Sequence, residues 1–147
     1  KKIKNHLDDA LLKGGKILTG GKKSKVGKLF YEPTIVININ PKMKIFSKEN
    51  FGPIIPVIKF DSDDELIRLA NDTNYGLAAY FYTKKISRIW KVIENLDYGM
   101  IGINSGKIST YLNPFGGLKE SGIGREGSIQ CLEPFLETKF ISWSYDD

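Results

Sequence analysis

The chain contains almost no cysteine and no long apolar stretch. A single cysteine, Cys131, excludes an internal disulfide and a zinc site built on several cysteines. No apolar run approaches the ~20 residues that a membrane-spanning helix needs. The opening sequence KKIKNHLDDALLKGG also lacks the apolar core of a secretory signal peptide. These absences predict a cytoplasmic protein with no metal site and no membrane partner.

What the chain does contain is the composition of an ordinary globular protein. Hydrophobic residues make up 41% and aromatic residues 12% of its 147 residues, enough to form a buried core. The net charge is +5, and lysines cluster in residues 1–4, 22–28 and 42–48. Because acidic residues interrupt these clusters and the aromatics lie mostly within apolar runs, we expect solubilising surface lysines and no nucleic-acid partner.

An amphipathic helical pattern begins almost at the first residue. It runs from about Ile3 to Lys13, with Leu7 and Leu11 on its apolar face, and ends at a glycine pair that is typical of a helix C-terminus. No Ser, Thr, Asp or Asn precedes it as an N-cap. Because a natural domain seldom begins inside an uncapped helix, we expect the chain to be part of a longer protein.

The rest of the chain alternates extended and helical segments. A short strand is predicted at KILTGG and an extended segment at LFYEPTIVINI, followed by a proline-containing loop. The segment VIKFDS is predicted as a buried strand that leads into a helix from Asp63 to Asn71. Ser62 and Glu65 have the spacing of a capping box at the start of that helix. A strand at LAAYFYT, a helix from about Ser87 to Leu96 and a strand at MIGIN follow.

These elements indicate an α/β fold. Near-continuous apolar strands joined by helices are typical of a mainly parallel sheet flanked by helices. Ligands of such sheets bind beyond the carboxyl ends of the strands, and MIGIN leads directly into SGKISTYLNPFGG. A tail helix from about Gly127 to Leu136 and a last strand, KFISWSY, complete the prediction. The helix before MIGIN is expected to bury Ile86, Ile89, Trp90, Ile93 and Leu96.

The segment NPFGGLKESGIGREG, residues 113–127, is unusually rich in glycine. Gly122, Gly124 and Gly127 have the G-x-G-x-x-G spacing of a dinucleotide-binding loop. That loop requires a buried strand directly before it and an acidic residue about 20 positions later, at a following strand. Here GGLKES precedes it and no second βαβ unit follows, so we predict no Rossmann domain in this chain. We expect a loop whose backbone passes close to another surface.

Several segments occur in an order that resembles the C-terminal portion of the aldehyde dehydrogenase superfamily. They are SKENFGP, ANDTNYGLAAYFYT, YGMIGIN, NPFGGLKESGIGREG and ETKF, and the resemblance covers essentially the whole chain. Within the superfamily, INSGKIS before PFGG, with GLKESGIGREGS after it, is most similar to the succinate-semialdehyde dehydrogenases. Glutarate-semialdehyde dehydrogenases are not easily separated from them. Lys107 and the TYL segment match no motif and leave the choice of aldehyde open.

The resemblance implies oxidation of an aldehyde to a carboxylic acid with NAD or NADP as cofactor. A cysteine thiolate attacks the carbonyl, hydride passes to the nicotinamide, and water activated by a glutamate hydrolyses the thioester. In this family the nucleophile, the base and the nucleotide-binding domain lie upstream of the matching segment. Cys131 lies where the family has no catalytic cysteine, so we expect a small buried side chain there and an ordinary surface position for His6. The chain is therefore predicted to hold no catalytic residue and to be inactive alone.

The resemblance also implies four contact residues. Glu49 and Phe51, in KENFGP, match a cofactor-contacting pair, in which the carboxylate accepts hydrogen bonds from the ribose on the nicotinamide side and the ring packs nearby. Ser109 matches a serine that binds the distal carboxylate of semialdehydes. Phe115, in PFGG, matches a residue that lines the aldehyde tunnel. Without the resemblance, Glu49 fits a surface carboxylate and Phe51 a loop anchor. Ser109 then fits a loop serine bonded to its own backbone, and Phe115 a core aromatic.

The same resemblance divides the chain at residue 136. Residues 1–136 are expected to be the C-terminal part of the catalytic domain, and residues 137–147 an oligomerisation strand and tail. KFISWSY matches a strand that joins a sheet of a neighbouring subunit, and an exposed edge strand favours such pairing. We therefore expect a homo-oligomer that binds a small-molecule semialdehyde. The alternatives are a truncated, non-catalytic gene product that persists as a self-associating domain, and a basic nucleic-acid binder.

Overall fold

The computed structural model describes residues 1–145, which form two compact units. The first unit comprises Lys1–Thr73, and the second begins at Asn74. The division predicted at residue 136 concerns a boundary between a catalytic part and a tail, and it stays a prediction. No helix within the described range is long and apolar enough to cross a membrane.

The first unit, residues 1–73, combines one sheet with short and medium helices. In chain order its elements are α1 (Lys2–Leu12), β1 (Lys16–Thr19), β2 (Thr34–Ile37), α2 (Lys44–Ser47), β3 (Ile54–Pro56) and α3 (Asp63–Asn71). The strand order is β1-β2-β3, with β1 antiparallel and β3 parallel to β2. The first helix, the first strand and α3 thus lie where the sequence predicted them.

The core of the first unit brings α1 and α2 together with the sheet. Leu7 and Ala10 of α1 are buried, as their helical spacing predicts. Because a helix with one apolar stripe is stabilised mainly by packing, α1 forms although no side chain caps its first turn. The other buried members of this core are Val36, Ile39, Met43, Ile45 and Ile54.

The helix α3 begins at a side-chain cap. The Ser62 hydroxyl accepts a hydrogen bond from the Glu65 N–H at 3.1 Å, which confirms the predicted start of the helix. The Glu65 carboxylate accepts from the Asp61 N–H at 2.9 Å, one residue before the position that a capping box uses. The first contact satisfies a backbone donor that the first turn of a helix otherwise leaves unpaired, and the second fixes the residue just before the cap.

The segment VIKFDS is not the buried strand that we expected. The strand β3 lies just before it, and the Val57 N–H donates to the Val36 carbonyl at 2.8 Å as the pairing ends. The partner strand β2 stops at Ile37, and Asn38 leaves it with a positive φ of 59°. Residues 58–62 therefore continue as an irregular, largely exposed connection to α3.

The second unit contains a strand–helix–strand arrangement. Its described elements are β4 (Tyr75–Gly76), β5 (Ala78–Phe81), α4 (Ile86–Asn95), β6 (Met100–Ile103), β7 (Leu118–Lys119) and a 3-10 helix (Ile129–Phe135). The strands β5 and β6 pair in parallel with α4 connecting them, whereas β4 and β7 pair antiparallel. A helical connection between two parallel strands is the βαβ unit that the alternating pattern predicted.

The fold is α/β as predicted, but the sheet structure is only partly parallel. The pairings β2–β3 and β5–β6 are parallel, and β1–β2 and β4–β7 are antiparallel. The described strands form one three-stranded and two two-stranded sheets rather than a single larger one. A short apolar run fits a buried strand of a parallel sheet and also a strand in the core of an antiparallel sandwich, so the runs alone did not determine strand direction.

The helix α4 buries a different residue from those expected. Val92 is buried, whereas Ile86 and Trp90 are 73% and 60% exposed. The other members of the expected face, Ile89, Ile93 and Leu96, are half-buried. Helical periodicity predicts which residues share a face, but it does not predict where the neighbouring elements meet that face.

The end of the described chain differs from the predicted helix and strand. The tail helix is of the 3-10 type, and Pro134 within it lacks the N–H that an α-helix would use. Residues 139–145 have no regular secondary structure, and Phe140, Trp143 and Tyr145 are 88%, 83% and 82% exposed. The pairing of this segment with a neighbouring subunit stays a prediction.

Candidate functional site

The loop after α2, residues 48–53, presents two of the predicted site residues to solvent. Glu49 is exposed, and Phe51 is 88% exposed with a positive φ of 42°. A bulky residue rarely adopts this left-handed conformation, and the exposed ring gains little burial energy in return. The loop therefore displays a carboxylate and an aromatic ring two residues apart on the first unit.

Asn50, between these two residues, anchors the loop to the unit. Its Nδ2 donates to the Ile45 carbonyl at 2.9 Å, and its Oδ1 lies 2.8 Å from Nδ1 of His6. His6 is only 5% exposed, so the expectation of an ordinary surface position for it was wrong. Leaving a buried polar group without a partner costs about 1–3 kcal/mol, and the contact with Asn50 avoids that cost at Nδ1.

The base of the loop is tied to α1 by a second polar contact. Asp9 Oδ2 accepts from the Lys44 N–H at 2.8 Å, at the first residue of α2, and Asp9 Oδ1 forms an ion pair with Lys13 at 2.8 Å. The hydrogen bond from Lys13, and then the bond from the Lys44 backbone, hold the pKa of Asp9 below its usual value. Asp9 thus helps to place the short helix that leads into the loop.

The loop after β6, which carries Ser109, starts from a fixed point. Asn104 follows β6 directly and pairs with the backbone of Thr83, which lies just after β5. The Thr83 N–H donates to Asn104 Oδ1 at 2.8 Å, and Asn104 Nδ2 donates to the Thr83 carbonyl at 2.9 Å. Asn104 has a φ of 53°, which asparagine tolerates better than most residues do. The carboxyl ends of the two parallel strands, where ligand loops begin in α/β proteins, are thus held together.

A cavity of about 390 Å³ lies along β6 and this loop. Ser109 is exposed and sits between two of the residues that line the cavity, without lining it itself. Lys107, which matched no motif, is one of the lining residues and brings a positive charge to the same loop. The loop residues at the cavity are Ser105, Lys107, Ile108, Thr110, Asn113 and Pro114.

Phe115 is half-buried and held by backbone pairing with the end of the glycine-rich segment. Its N–H donates to the Glu126 carbonyl at 2.8 Å, and its carbonyl accepts from the Glu126 N–H at 2.7 Å. Arg125 Nη1 donates to the Gly117 carbonyl at 2.8 Å and to the Gly124 carbonyl at 2.9 Å. The segment that carries Phe115 is therefore positioned mainly by backbone contacts.

In residues 113–127, close backbone packing explains the glycine at Gly116, whereas nothing lies within 4 Å of a Cβ atom added at Gly122 or Gly124. A Cβ atom at Gly116 would lie 2.5 Å from the Gly124 carbonyl oxygen, a distance that forces the backbone to move. The G-x-G-x-x-G spacing has no helix opening within it, because the next helical element is the 3-10 helix that starts at Ile129. Within the described residues the segment is a packed loop, and it lacks the strand and helix of a dinucleotide fingerprint.

Comparisons with known proteins identify the family. The sequence model described as the aldehyde dehydrogenase family matches residues 1–141. The chain belongs to the aldehyde dehydrogenase family. Full-length aldehyde dehydrogenases are oxidoreductases that act on aldehydes and use NAD or NADP.

Relatives of this aldehyde dehydrogenase segment include semialdehyde dehydrogenases. A succinate semialdehyde dehydrogenase of Acinetobacter baylyi is 48% identical over 139 residues, which cover 95% of the chain and 29% of that relative. A glutarate-semialdehyde dehydrogenase of Pseudomonas aeruginosa is 48% identical over 141 residues, with coverage of 95% and 29%. The crystal structure of a succinate-semialdehyde dehydrogenase from Burkholderia pseudomallei matches with a TM-score of 0.87 and 50% identity, covering 90% of this chain and 27% of that one. The chain thus spans less than a third of the length of the relatives that it matches.

Cys131 is the one thiol of this aldehyde dehydrogenase segment. It is half-buried on the 3-10 helix, more exposed than the buried side chain that we expected. Its unit contains no histidine, since His6 is the single histidine of the chain. A catalytic thiol is commonly activated by a neighbouring base, so this setting gives no support to a nucleophilic role for Cys131.

The four predicted contact residues fall into two pairs. Glu49 and Phe51 share the loop of the first unit, and Ser109 and Phe115 follow β6 in the second. Their roles stay predictions. The sequence offered a signal for Asn104, which is an asparagine directly after a predicted strand. It offered no local signal for the contact between His6 and Asn50, because these residues lie 44 positions apart. Sequence reasoning missed the residues that hold the loops, namely His6, Asn50, Asn104 and Arg125.

Proposed function

We propose that the chain is the C-terminal part of an NAD- or NADP-dependent succinate-semialdehyde dehydrogenase. The loop 48–53 contributes cofactor contacts, and the loop that follows β6 contributes substrate contacts. The observation that carries the proposal is Phe51, an aromatic residue at 88% exposure with a φ of 42°, close to the exposed Glu49. Non-glycine residues with strained backbone conformations cluster at sites of ligand contact, which supports a binding role for this loop.

The residues of loop 48–53 fit a dinucleotide cofactor. The exposed Glu49 carboxylate accepts hydrogen bonds from ribose hydroxyls, and bonds to an ionised acceptor are roughly twice as strong as neutral ones. The Phe51 ring offers an apolar face against which a sugar or a flat ring packs. Because Asn50 is already held by His6 and Ile45, the loop needs little further ordering on binding, which lowers the entropic cost.

The residues after β6 fit a substrate with an aldehyde at one end and a carboxylate at the other. The exposed Ser109 hydroxyl donates to the distal carboxylate, and Lys107 adds positive charge to the same loop. Phe115, half-buried and with its backbone paired to Glu126, supplies an apolar surface for the carbon chain. These roles are contributions to binding and orientation.

The chemistry of the complete enzyme needs groups that this chain does not supply. When bound, NAD or NADP would supply the hydride acceptor for oxidation of the aldehyde. The cysteine nucleophile and the glutamate base belong to a preceding segment. The isolated chain therefore binds and positions the cofactor and the substrate without converting the substrate to product. Glu49 and Phe51 orient the cofactor, while Ser109 holds the substrate end farthest from the reacting carbon.

The cofactor role is tested on the full-length protein that contains this segment. Glu49→Gln removes the charged acceptor with little change in shape, and we expect the KM for the cofactor to rise about tenfold, equivalent to ~1.4 kcal/mol. Glu94→Gln, which neutralises an exposed carboxylate on α4, is the matched control and leaves this KM unchanged. Measurements use NAD and NADP at saturating succinate semialdehyde. An equal KM in wild type and Glu49→Gln would disprove the cofactor role.

The reaction and the substrate are tested in the same assay. Full-length protein that reduces neither NAD nor NADP with any aldehyde contradicts the proposed function. Turnover by the isolated 147-residue chain contradicts the placement of the nucleophile in a preceding segment. Because one relative at 48% identity is named for glutarate semialdehyde, kcat/KM is compared for the two semialdehydes, and a preference for the longer one favours that second substrate.

The exposed aromatic residues near the end of the described chain support a homo-oligomer. Phe135, Phe140 and Trp143 are each more than 80% exposed, an arrangement that association with another copy would relieve. Light scattering on the full-length protein and on the isolated chain measures the oligomeric state of each. A self-associating isolated chain in cells that make no longer product would favour the non-catalytic alternative. We propose a cytoplasmic location, which fractionation of native cells tests.

A further inference from the structure

We propose that His6 is a positioning residue for the loop 48–53, and that it acts through Asn50. Its hydrogen bond holds Asn50 inside the unit and so keeps Glu49 and Phe51 turned outward for the cofactor. The part of this inference that concerns the cofactor rests on the proposed function. The part that concerns the loop rests on the contacts alone.

The hydrogen-bond network assigns the tautomer of His6. Asn50 Nδ2 donates to the Ile45 carbonyl at 2.9 Å, and a carbonyl oxygen accepts only, so the amide orientation is determined. Asn50 Oδ1 therefore faces His6 Nδ1 at 2.8 Å, and an amide oxygen also only accepts. His6 must consequently carry a proton on Nδ1 and donate it to Asn50.

Burial divides the loop into an inner anchor and two outer side chains. His6 is 5% exposed and Asn50 is half-buried, whereas Glu49 is exposed and Phe51 is 88% exposed. Neither outer side chain gains enough burial to order the loop. Backbone hydrogen bonds hold the two ends of the loop, from the Lys48 N–H to the Lys44 carbonyl at 2.9 Å and from the Thr34 N–H to the Pro53 carbonyl at 2.8 Å. Between these ends, the polar pair of His6 and Asn50 is the side-chain contact that orders the residues around Phe51.

The helix α1 supports the loop at a second point on the same face. Gly52 passes so close to Ile3 that a Cβ atom on the glycine would lie 2.5 Å from Ile3 Cδ1. Ile3 and His6 are three residues apart on α1, a spacing that places them on one face of a helix. One polar and one apolar contact therefore hold the loop on either side of Phe51.

Three substitutions at His6 separate the hydrogen bond from the bulk of the ring. His6→Leu keeps an apolar volume and removes the donor. His6→Asn returns an amide nitrogen to the place of Nδ1, since both nitrogens are bonded to Cγ, whereas His6→Gln moves the donor one bond farther out. Val36→Ala, in the buried strand β2, lowers stability without touching the loop and is the control for a purely structural effect.

The experiment uses the full-length protein and two readouts. The first is the dissociation constant of NAD and of NADP, measured by calorimetric titration. The second is the rate of chymotrypsin cleavage after Phe51, followed by mass spectrometry, which needs neither cofactor nor activity. Loss of one hydrogen bond to a neutral partner predicts a roughly fivefold weaker cofactor affinity in His6→Leu. We expect cleavage after Phe51 to accelerate several-fold in that variant, and His6→Asn to restore both values more fully than His6→Gln does.

The outcomes separate this inference from the proposed function. If Glu49→Gln weakens cofactor binding but His6→Leu does so no more than Val36→Ala, the positioning role is wrong and the proposed function stands. If His6→Leu accelerates cleavage after Phe51 while wild type binds neither NAD nor NADP, the proposed function is wrong and His6 still orders the loop. Should His6→Leu not fold, equal cleavage rates in His6→Asn and His6→Gln would overturn the inference, because only the first replaces the donor in place.

Discussion

Gly99 and Gly116 touch through their backbones, with no space for a side chain between them. A Cβ atom added at Gly99 would overlap the carbonyl oxygen of Gly116 and lie 2.8 Å from its carbonyl carbon. Gly99 directly precedes β6, and Gly116 directly follows Phe115. The contact therefore ties the start of the strand to the segment that carries a predicted substrate residue.

A side chain at Gly99 should destabilise the second unit. We expect Gly99→Ala to lower the free energy of unfolding by about 1–3 kcal/mol, because only a backbone shift can relieve the overlap. Gly124→Ala is the matched control, since nothing lies within 4 Å of its added Cβ atom. Urea unfolding of the two variants measures the difference. Equal midpoints would contradict the role of close backbone contact.

Removing the Asn104 side chain should cost both stability and substrate binding. Asn104→Ala loses two hydrogen bonds to Thr83 and places an alanine at a φ of 53°, which together cost about 2–3 kcal/mol. Asn104→Gly loses the same bonds but tolerates the conformation, so its cost is smaller. Urea midpoints and the KM for the semialdehyde measure the two effects. An alanine variant as stable as wild type would show that the asparagine does not hold the strand ends.

The carboxylate of Asp9 should stabilise the first unit at neutral pH and lose this effect in acid. The pKa of Asp9 in the folded chain lies below its usual 3.8, chiefly through the hydrogen bond from Lys13. A lowered folded pKa contributes stability that is present above 3.8 and lost as the pH falls through the folded value. We expect Asp9→Asn to be less stable than wild type at pH 7, with a difference that shrinks towards pH 2.

The free energy of unfolding of Asp9→Asn and of wild type is measured at pH 7 and at pH 2, and the neighbouring Asp8 supplies the control. Asp8 pairs with Lys4 on the same helix, but both side chains are more than half exposed, and such pairs contribute little. Asp8→Asn should therefore show a stability difference from wild type that is small at pH 7 and at pH 2. If the two variants behave alike, the contacts of Asp9 with Lys13 and Lys44 do not stabilise the first unit.

Ser109 should affect substrates that carry a carboxylate and spare those that do not. In the full-length enzyme we expect Ser109→Ala to raise the KM for succinate semialdehyde about tenfold, since a hydrogen bond to a charged group is lost. The KM for butanal, which has no distal carboxylate, should stay the same. Ser87→Ala, on the exposed start of α4, is the control. An equal rise for both aldehydes would indicate a structural role for Ser109.

Local signals predicted much of the fold. The apolar stripe predicted α1, the Ser62 cap predicted the start of α3, and the alternation of apolar runs predicted the unit β5–α4–β6. The local signals gave wrong predictions where a neighbouring element determines the secondary structure or the burial of a segment. Residues 58–62 are apolar in part but leave the sheet because β2 ends. In α4 the buried residue is Val92, because burial depends on how other parts of the unit pack against the helix.

Motif order alone singled out the four candidate site residues, whose roles stay predictions. Glu49, Phe51, Ser109 and Phe115 are exposed or half-buried residues that composition does not distinguish from ordinary loop residues. The residues that hold their loops form contacts between distant positions, which periodicity and propensity do not register. A buried histidine in a helix with charged neighbours is predicted to lie at the surface, because the sequence does not show its hydrogen-bond partner.

The bond between His6 and Asn50 joins positions 44 residues apart, so the loop 48–53 is not a self-contained module. Grafting KENFGP onto an unrelated scaffold would transfer the chemistry of its side chains without the tether that orients them. A graft that keeps the geometry must also include the first two turns of α1, so that Ile3 and His6 still contact the loop.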